Sequence, residues 1–295
     1  MTVYHSIADV TKQVQYVEET TFGTTPTSPT LINAGGILSI TDSTEMTAKR
    51  YRVLGSEDIY KGLLCGELYS FEVTYNPSTT TFLRYGTESV GGGAGTIDKS
   101  LTIVTAFKIN NVENFLIFRG CKTDKIEIEV TPDDMVVTQN FICQSISTPS
   151  SAHGLGASTV FSAAFSGTPL CAPDTGLNPL TINSLTYDCI RFDITWSRNL
   201  DARQVIGKSQ VLFIVPTVRD IDIEFDLLLK DTVTWADVKT LSARAATFVL
   251  NSTGPKNITM TNLQLEKLDF ELSTDSDEVL MASFSGFAAT ASVTA

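Results

Sequence analysis

The chain has 295 residues, 42% of them hydrophobic, and a formal net charge of −12 at pH 7. This length favours roughly two domains with ordinary cores, and the charge argues against a protein that grips nucleic-acid phosphates with clustered Lys and Arg. No stretch approaches the roughly 18 apolar residues of a membrane helix, and the N-terminus lacks the layout of a signal peptide. We therefore expect a protein made and used inside a cell.

The N-terminal region predicts one strand followed by an extended arm. Residues 13–18 have strand character. The next segment, ETTFGTTPTSPTLINAGG at 19–36, is dominated by Gly, Pro, Thr and Ser, which cannot build a core of their own.

A long projecting hairpin is predicted next, because residues 37–54 and 59–64 have strand character with a middle that is polar on both faces. The densest basic cluster of the chain lies in it and consists of Lys49, Arg50, Tyr51 and Arg52. Two interpretations remain open: a solvated hairpin tip, or a contact with an acidic surface of another copy of the protein.

The strongest pattern in the sequence is a repeat. Apolar and acidic residues alternate at period 2 in residues 125–131, which indicates a half-buried strand. The same pattern of residue classes returns at 267–273, 142 residues later (267 − 125). In both places an acidic turn and a return strand follow, and the return strands align Phe141 with Phe284, with one residue inserted in the second turn. We interpret this as a duplicated β module.

Each half also predicts a short helix. In the first half it is the apolar patch at 80–85. In the second it is residues 234–245, where Thr234 and Asp237 have the spacing of a capping box. The predicted fold class is therefore mainly β, with tandem duplicated β-sandwich or barrel modules that each carry a short flanking helix. The predicted domains are residues 1–146, a Gly/Pro/Ser-rich linker at 147–180, and residues 181–295.

Catalytic and metal chemistry are not indicated. The only histidines are His5 and His153, which leaves little basis for a zinc site or a nucleophilic triad. Acids in the predicted turns, such as Asp133 with Asp134, could hold Ca²⁺, although turn acids are more often solvated. We expect no cofactor, no metal and no enzymatic activity.

The five cysteines are an odd number without C-x-x-C spacing. Cys121 and Cys143 lie on the two strands of one predicted hairpin and could face each other. Buried free thiols in a reducing compartment are the expected state.

Several of these segments resemble the tail tube proteins of long-tailed phages and related viruses. The resemblance lies in the arm ETTFGTTP at 19–26, the charged hairpin ending in RVLG at 52–55, and the β module with one helix. In the second half, TWSRNL at 195–200 and VIG at 205–207 resemble the same hairpin. In that family each module is a β-sandwich with a helix on its side, and six modules form a ring. Rings stack into a tube through which DNA is ejected, and the long hairpin of one ring docks on the next.

The resemblance implies specific expectations for a chain with two modules. Three chains would form a trimeric, pseudo-hexameric ring, and a negatively charged bore would let DNA slide without specific binding. The candidate ring-stacking residues are Lys49, Arg50, Tyr51, Arg52 and, more weakly, Arg198 and Arg203. Expected partners are further copies of the chain and other tail proteins (terminator, tape measure and tip), with no membrane. The expected location is the virion tail, after assembly in the host cytoplasm.

Three other classes remain open. A tandem β-sandwich that binds ligands or carbohydrates, or that acts in adhesion, predicts a cluster of exposed aromatic residues. A β-sandwich hydrolase predicts paired carboxylates in a cleft. A different virion part, such as a tube terminator or spike base, would form one ring and would not polymerise.

Overall fold

The fold was derived from a computed structural model of the chain. It describes residues 13–52, 59–88, 99–109, 112–163, 165–167, 170, 180–205, 208–228, 244–251, 256–271 and 281–293.

The described chain is mainly β, as predicted. The elements of the first half are β1 (Gln13–Glu18), β2 (Ile32–Asn33), β3 (Gly36–Arg52), β4 (Ile59–Asn76), α1 (Arg84–Thr87), β5 (Leu101–Ile109), β6 (Val112–Val130), β7 (Met135–Cys143) and β8 (Ser145–Ile146). Those of the second half are β9 (Leu180–Ile182), β10 (Leu185–Tyr187), β11 (Cys189–Ser197), β12 (Leu200–Gln204), β13 (Val211–Pro216), β14 (Asp220–Leu228), β15 (Arg244–Asn251), β16 (Lys256–Glu271) and β17 (Met281–Val293).

The two halves have the same strand order. Neighbouring strands follow the order β2-β1-β5-β6-β7-β4-β3 in the first half and β10-β9-β15-β16-β17-β14-β11 in the second, and every pair is antiparallel. The long strands β6 and β16 have corresponding positions, because each pairs with a preceding strand along its first part only and with a following strand through its last part.

A bulge marks the same place in these two long strands. The ladder shifts between Thr123 and Lys125 in β6 and between Leu265 and Lys267 in β16, at the repeat spacing of 142 residues (267 − 125). Beside the bulge, Phe141 lies opposite Thr123 and Gly286 lies opposite Leu265.

This register corrects the alignment of Phe141 with Phe284, because Gly286 occupies the position of Phe141. The backbone requires glycine there, since a Cβ at residue 286 would lie 2.1 Å from the carbonyl oxygen of Gln264. The return strands are therefore offset by 145 residues (286 − 141), which puts three additional residues in the second turn.

The halves meet edge to edge. Residues 125–130 of β6 pair with residues 192–197 of β11 in an antiparallel ladder. One continuous sheet therefore runs in the order β3-β4-β7-β6-β11-β14-β17-β16 through both halves.

Period-2 alternation builds the core, as it does in a sheet with one buried face. Successive residues of β7 alternate strictly between buried and half-buried positions, and residues 125–130 of β6 alternate between buried and less buried positions. In the second half, the rings of Phe192 and Phe248 stack with centroids 4.2 Å apart, and those of Phe225 and Phe284 stack at 5.0 Å. Burying such rings supplies much of the hydrophobic stabilisation.

The helix predictions have different outcomes. The apolar patch at 80–85 runs into the one-turn helix α1, which lies slightly later than predicted. Most of the predicted helix at 234–245 lies outside the described residues, and its last two residues, 244 and 245, belong to strand β15.

The expectation of free thiols is wrong for Cys121 and Cys143, which form a disulfide. Cys121 ends the segment of β6 that pairs with β5, and its Cα lies 4.0 Å from that of Cys143 at the end of β7. Cys189 is a free thiol, and burial raises its pKa to about 12.

The described part of the predicted linker packs along the first half. The backbone N–H of Ser147 donates to the Ile117 carbonyl (2.8 Å), and that of Leu170 donates to the Pro77 carbonyl (2.6 Å). Between them, Val160 forms a parallel bridge with Thr30. At these positions the segment packs against the first half, so its described residues are not an extended linker in solvent.

Candidate assembly surfaces

Acidic side chains dominate one face of the continuous sheet where the two halves join. Glu127 and Glu129 point away from the core on β6. Asp193 of β11 lies between Glu129 of β6 and Glu224 of β14 in the ladder. Other charged residues on this face include Lys125, Arg191, Asp222, Asp226, Lys267 and Asp269. Because carboxylates outnumber cations, this surface, which we call the acidic face, is negatively charged.

The three cations named on the acidic face each form an ion pair with a neighbouring carboxylate. Arg191 places Nη2 2.5 Å from Asp193 Oδ2, and its Nε lies 3.8 Å from Glu129 Oε1. Lys125 forms an ion pair with Glu127 at 2.5 Å, and Lys267 forms one with Asp269. Such exposed pairs contribute little to stability, so their main effect is to moderate the repulsion among the acids.

The carboxyl of Asp193 lies between two other acidic residues of this face. The pKa of its carboxyl is raised to about 6, chiefly by burial. Arg191 lowers this pKa, and Glu129, Glu224 and Asp226 raise it. The carboxyl therefore titrates just below neutral pH, where the charge of the acidic face changes with pH.

The long hairpin of the first half is present as predicted, since β3 pairs with β4 from Gly36 and Asn76 out to Arg52 and Ile59. The backbone of the basic cluster lies at the far end of β3. Of its four side chains the structure describes Arg50, which is exposed.

The two arginines predicted in the second half lie in different environments. The side chain of Arg203 on β12 is 64% exposed and forms an ion pair with Asp201. Arg198 is only 3% exposed, and its Nη1 donates to the carbonyl of Tyr85 in α1 at 2.9 Å.

Arg198 and Arg219 of the second half both donate hydrogen bonds to carbonyl groups of helix α1. Arg219 Nη2 donates to the carbonyls of Thr87 in α1 and Ala291 in β17, the latter at 2.7 Å. Burial, and to a lesser degree Arg198, lowers the pKa of Arg219 to about 10. These contacts satisfy carbonyls at the end of α1 that the helix itself leaves without donors.

Sequence reasoning missed an apolar surface on the second hairpin. β12 and β13 form a separate two-stranded sheet that contacts β4 through a hydrogen bond from Glu67 N–H to the Ser209 carbonyl (3.0 Å). The exposed apolar residues on and beside these two strands, which we call the hairpin patch, are Val205, Leu212, Phe213, Val215 and Val218. The sequence signal for this surface was the unbroken apolar run VLFIV at 211–215. In a strand with one solvated face, apolar and polar residues would alternate.

The predicted arm is anchored by one buried carboxylate. Glu19 is 2% exposed and accepts hydrogen bonds from the backbone N–H groups of Gly23 (2.8 Å) and Gly120 (2.9 Å). It also accepts from the hydroxyls of Ser100 (2.6 Å) and Thr102 (2.8 Å). Four donors, from the arm, from β6, from β5 and from the residue just before β5, converge on one side chain, which fixes the path of the arm across the sheet.

Other kinds of site find little support in the described residues. No cluster of three or more His, Cys, Asp and Glu side chains suited to a metal ion occurs among them. Trp196, an aromatic residue of the kind that carbohydrate sites use, is fully buried. Within the same part of the chain, no helix is long and apolar enough to cross a membrane.

Comparison with known proteins gives one clear result. A search of curated proteins found no match. The family model described as phage tail tube protein matches residues 10–288, which is nearly the whole chain and includes the arm, both hairpins and the acidic face. The chain therefore belongs to the phage tail tube protein family, a family of structural components of the virion tail.

Proposed function

We propose that three copies of this chain form a pseudo-hexameric ring, and that stacked rings make the hollow tail tube through which viral DNA is ejected. The observation that carries this proposal is the continuous sheet, in which two halves of identical strand order join edge to edge and share one acidic face. An arrangement already repeated twice within a chain extends to six repeats in three chains.

The two halves are the modules of this proposal and derive from a duplication. The proposed boundaries are residues 1–146 for the first module, 147–180 for the linker and 181–295 for the second. The support is the identical strand order together with the bulges at Thr123/Lys125 and Leu265/Lys267.

The acidic face lines the bore in this proposal. Carboxylates such as Glu127, Asp222 and Glu224 repel the phosphates of passing DNA, so the DNA moves without specific binding. The opposite side of the same strands packs in the hydrophobic core, so the acidic side is the one that is free to face a lumen.

Ring stacking uses the hairpins. In the first module the contact is made by Lys49, Arg50, Tyr51 and Arg52. In the second it is made by Arg203 and the hairpin patch, whose exposed apolar side chains are typical of a protein interface. Arg198 supports the hairpin from within, because it is buried against α1.

The partners in this proposal are further copies of the chain and the other tail proteins, namely a terminator, a tape measure protein and a tip. Assembly takes place in the host cytoplasm, and the product is part of the virion tail. The chain has no catalytic role.

Negative-stain electron microscopy of the purified full-length chain at increasing concentration tests the proposal. The expected result is rings or striated hollow filaments with three-fold chain symmetry, nucleated where necessary by the tail tip complex. A chain that stays monomeric at high concentration and with the tip complex would overturn it. Single rings that never stack would instead indicate a terminator.

A further inference from the structure

Two strand edges of the continuous sheet have no neighbour within the described part of the chain. At one end, β3 pairs with β4 alone, and residues 41–46 are all exposed. At the other end, residues 265–271 of β16 pair with β17 alone, because β15 covers only the earlier part of the strand. Open edges of this kind are templates for strand pairing.

Residues that lie side by side on neighbouring strands form rows across the sheet. These rows show which residues of the edge strands β3 and β16 are equivalent to residues of β11 and β6, the two strands that pair where the halves join. In the first half one row runs Lys125, Asn140, Glu72, Thr41 from β6 to β3. In the second half the equivalent row runs Lys267, Ser285, Glu224, Asp193 from β16 to β11. Thr41 of β3 therefore occupies the position of Asp193, just as Lys267 occupies that of Lys125.

The internal junction then supplies a register for the open edges. In that junction Ser197 lies opposite Lys125 and Thr195 lies opposite Glu127. By the equivalence of the rows, Glu45 of β3 occupies the position of Ser197, and Lys267 of β16 occupies that of Lys125. In the same way, Ser43 occupies the position of Thr195, and Asp269 occupies that of Glu127.

We propose that β3 of one copy pairs antiparallel with β16 of a second copy, with Glu45 opposite Lys267 and Ser43 opposite Asp269. This inference rests on the proposed ring and specifies how its chains join. Every junction around the ring, within a chain or between chains, then has the same register.

Charge and geometry support a second copy as the occupant. Glu45 and Lys267 are exposed and opposite in charge, and opposite charges directly across an antiparallel pair are stabilising. Within the described part of the chain the two edges do not pair with each other, which leaves each of them open to a strand from a second copy. The contact is heterologous, so it closes into a ring when the rotation per chain is right.

Cysteine cross-linking of the full-length protein tests the register. Ser43→Cys and Asp269→Cys are placed in separate chains, and the two are mixed and oxidised under conditions where rings form. Directly opposite strand positions are within disulfide reach, so we expect a covalent species of twice the 32.0 kDa chain mass. It should require both new cysteines and disappear on reduction. A chain that carries both substitutions should give a ladder that ends at three chains.

The matched control is Thr44→Cys mixed with Asp269→Cys, whose side chains would point to opposite faces of the joined sheet. Equal cross-linking in this control, or no cross-link in preparations where microscopy shows rings, would overturn the register while leaving the proposed ring intact. Absence of rings for the unsubstituted chain under every condition would overturn both.

A charge exchange gives an independent readout. Glu45→Lys and Lys267→Glu should each reduce ring formation, and the double variant should restore it. Two single variants that assemble as well as the unsubstituted chain would contradict the proposed pair.

Discussion

Ile128 of the first half and Ile194 of the second lie directly opposite each other in the ladder between β6 and β11, and each is 1% exposed. The halves therefore share a buried hydrophobic seam as well as a row of backbone hydrogen bonds. The seam makes the two repeats one structural unit and holds their acidic faces in one surface.

Ile194→Ala tests how much this hydrophobic seam contributes to the free energy of unfolding. Removing buried methyl groups from a core typically costs about 2–5 kcal/mol, so the denaturant midpoint of the isolated chain should fall clearly. Val215→Ala, at a side chain that is 44% exposed, is the control, and surface changes of this kind usually alter stability by less than about 0.5 kcal/mol. Equal effects of the two substitutions would show that the halves are stable independently of the seam.

Glu19→Gln should destabilise the arm. The four donors around this carboxylate would face an amide that offers one acceptor oxygen and a competing NH₂ group. Leaving buried donors unpaired costs about 1–3 kcal/mol, which thermal unfolding would detect. The control is Glu18→Gln, where the side chain is 44% exposed and forms a surface pair with Lys99. A surface pair contributes about 1 kcal/mol or less, so a larger loss at residue 18 would contradict this account.

Asp193→Asn should change the pH dependence of stability. The folded chain raises the pKa of this carboxyl from 3.8 to about 6, so it holds the proton more tightly than the unfolded chain does. Stability is therefore lost as pH rises from about 4 to about 6, and the full cost persists above that range. Because the carboxyl is partly exposed, solvent screening limits this cost to about 1 kcal/mol.

The measurement for Asp193 is the unfolding midpoint at pH 4 and at pH 8. Asn should stabilise the chain at pH 8 relative to the unsubstituted protein and give a smaller or no gain at pH 4. Thr195→Ala on the same strand and face is the control, because it removes no ionisable group. An equal shift of the Asn variant at both pH values would rule out titration of this carboxyl as the cause.

Arg198→Ala distinguishes a supporting role from a stacking role. The buried guanidinium donates to the Tyr85 carbonyl, and a hydrogen bond to a charged group contributes about 1.5–3 kcal/mol, so the isolated chain should lose stability by that order. Arg203→Ala should leave the isolated chain nearly unchanged, since that side chain is 64% exposed, but should reduce filament formation. The reverse pattern would place the stacking contact at Arg198.

The strands at 125–130 and 267–271 could be predicted from sequence because they depend on local alternation at period 2, which residues 125–131 and 267–273 share. The correct offset of the return strands could not, because Phe284 resembles Phe141 in type, whereas the bulge places Gly286 at that position. Residue type favours one alignment, and the close approach of two backbones imposes another.

The net negative charge of the sequence predicted a negatively charged surface but not which part of the fold carries it. That place follows from the pairing of β6 with β11, a contact between strands far apart in the chain that leaves no local signal. The burial of Arg198 was equally hidden, because an arginine beside a turn has the same sequence signature whether it faces solvent or a helix end. The pairing of Cys121 with Cys143 was within reach of the sequence, since both strands were predicted, but the expected reducing compartment favoured free thiols.

The disulfide gives the last prediction. Cross-linking residues separated by 22 positions removes chain entropy from the unfolded state, which corresponds to about 3 kcal/mol for a loop of this length. Treatment with a reductant should therefore lower the unfolding midpoint of the purified chain and leave a variant with both Cys121→Ala and Cys143→Ala unaffected. Alkylation followed by mass spectrometry, before and after reduction, should reveal two additional reactive thiols. Cys189→Ala, at a thiol that is already free, serves as the control and should keep its sensitivity to reductant. Alkylation of Cys121 and Cys143 in the purified chain without prior reduction would contradict a disulfide between them.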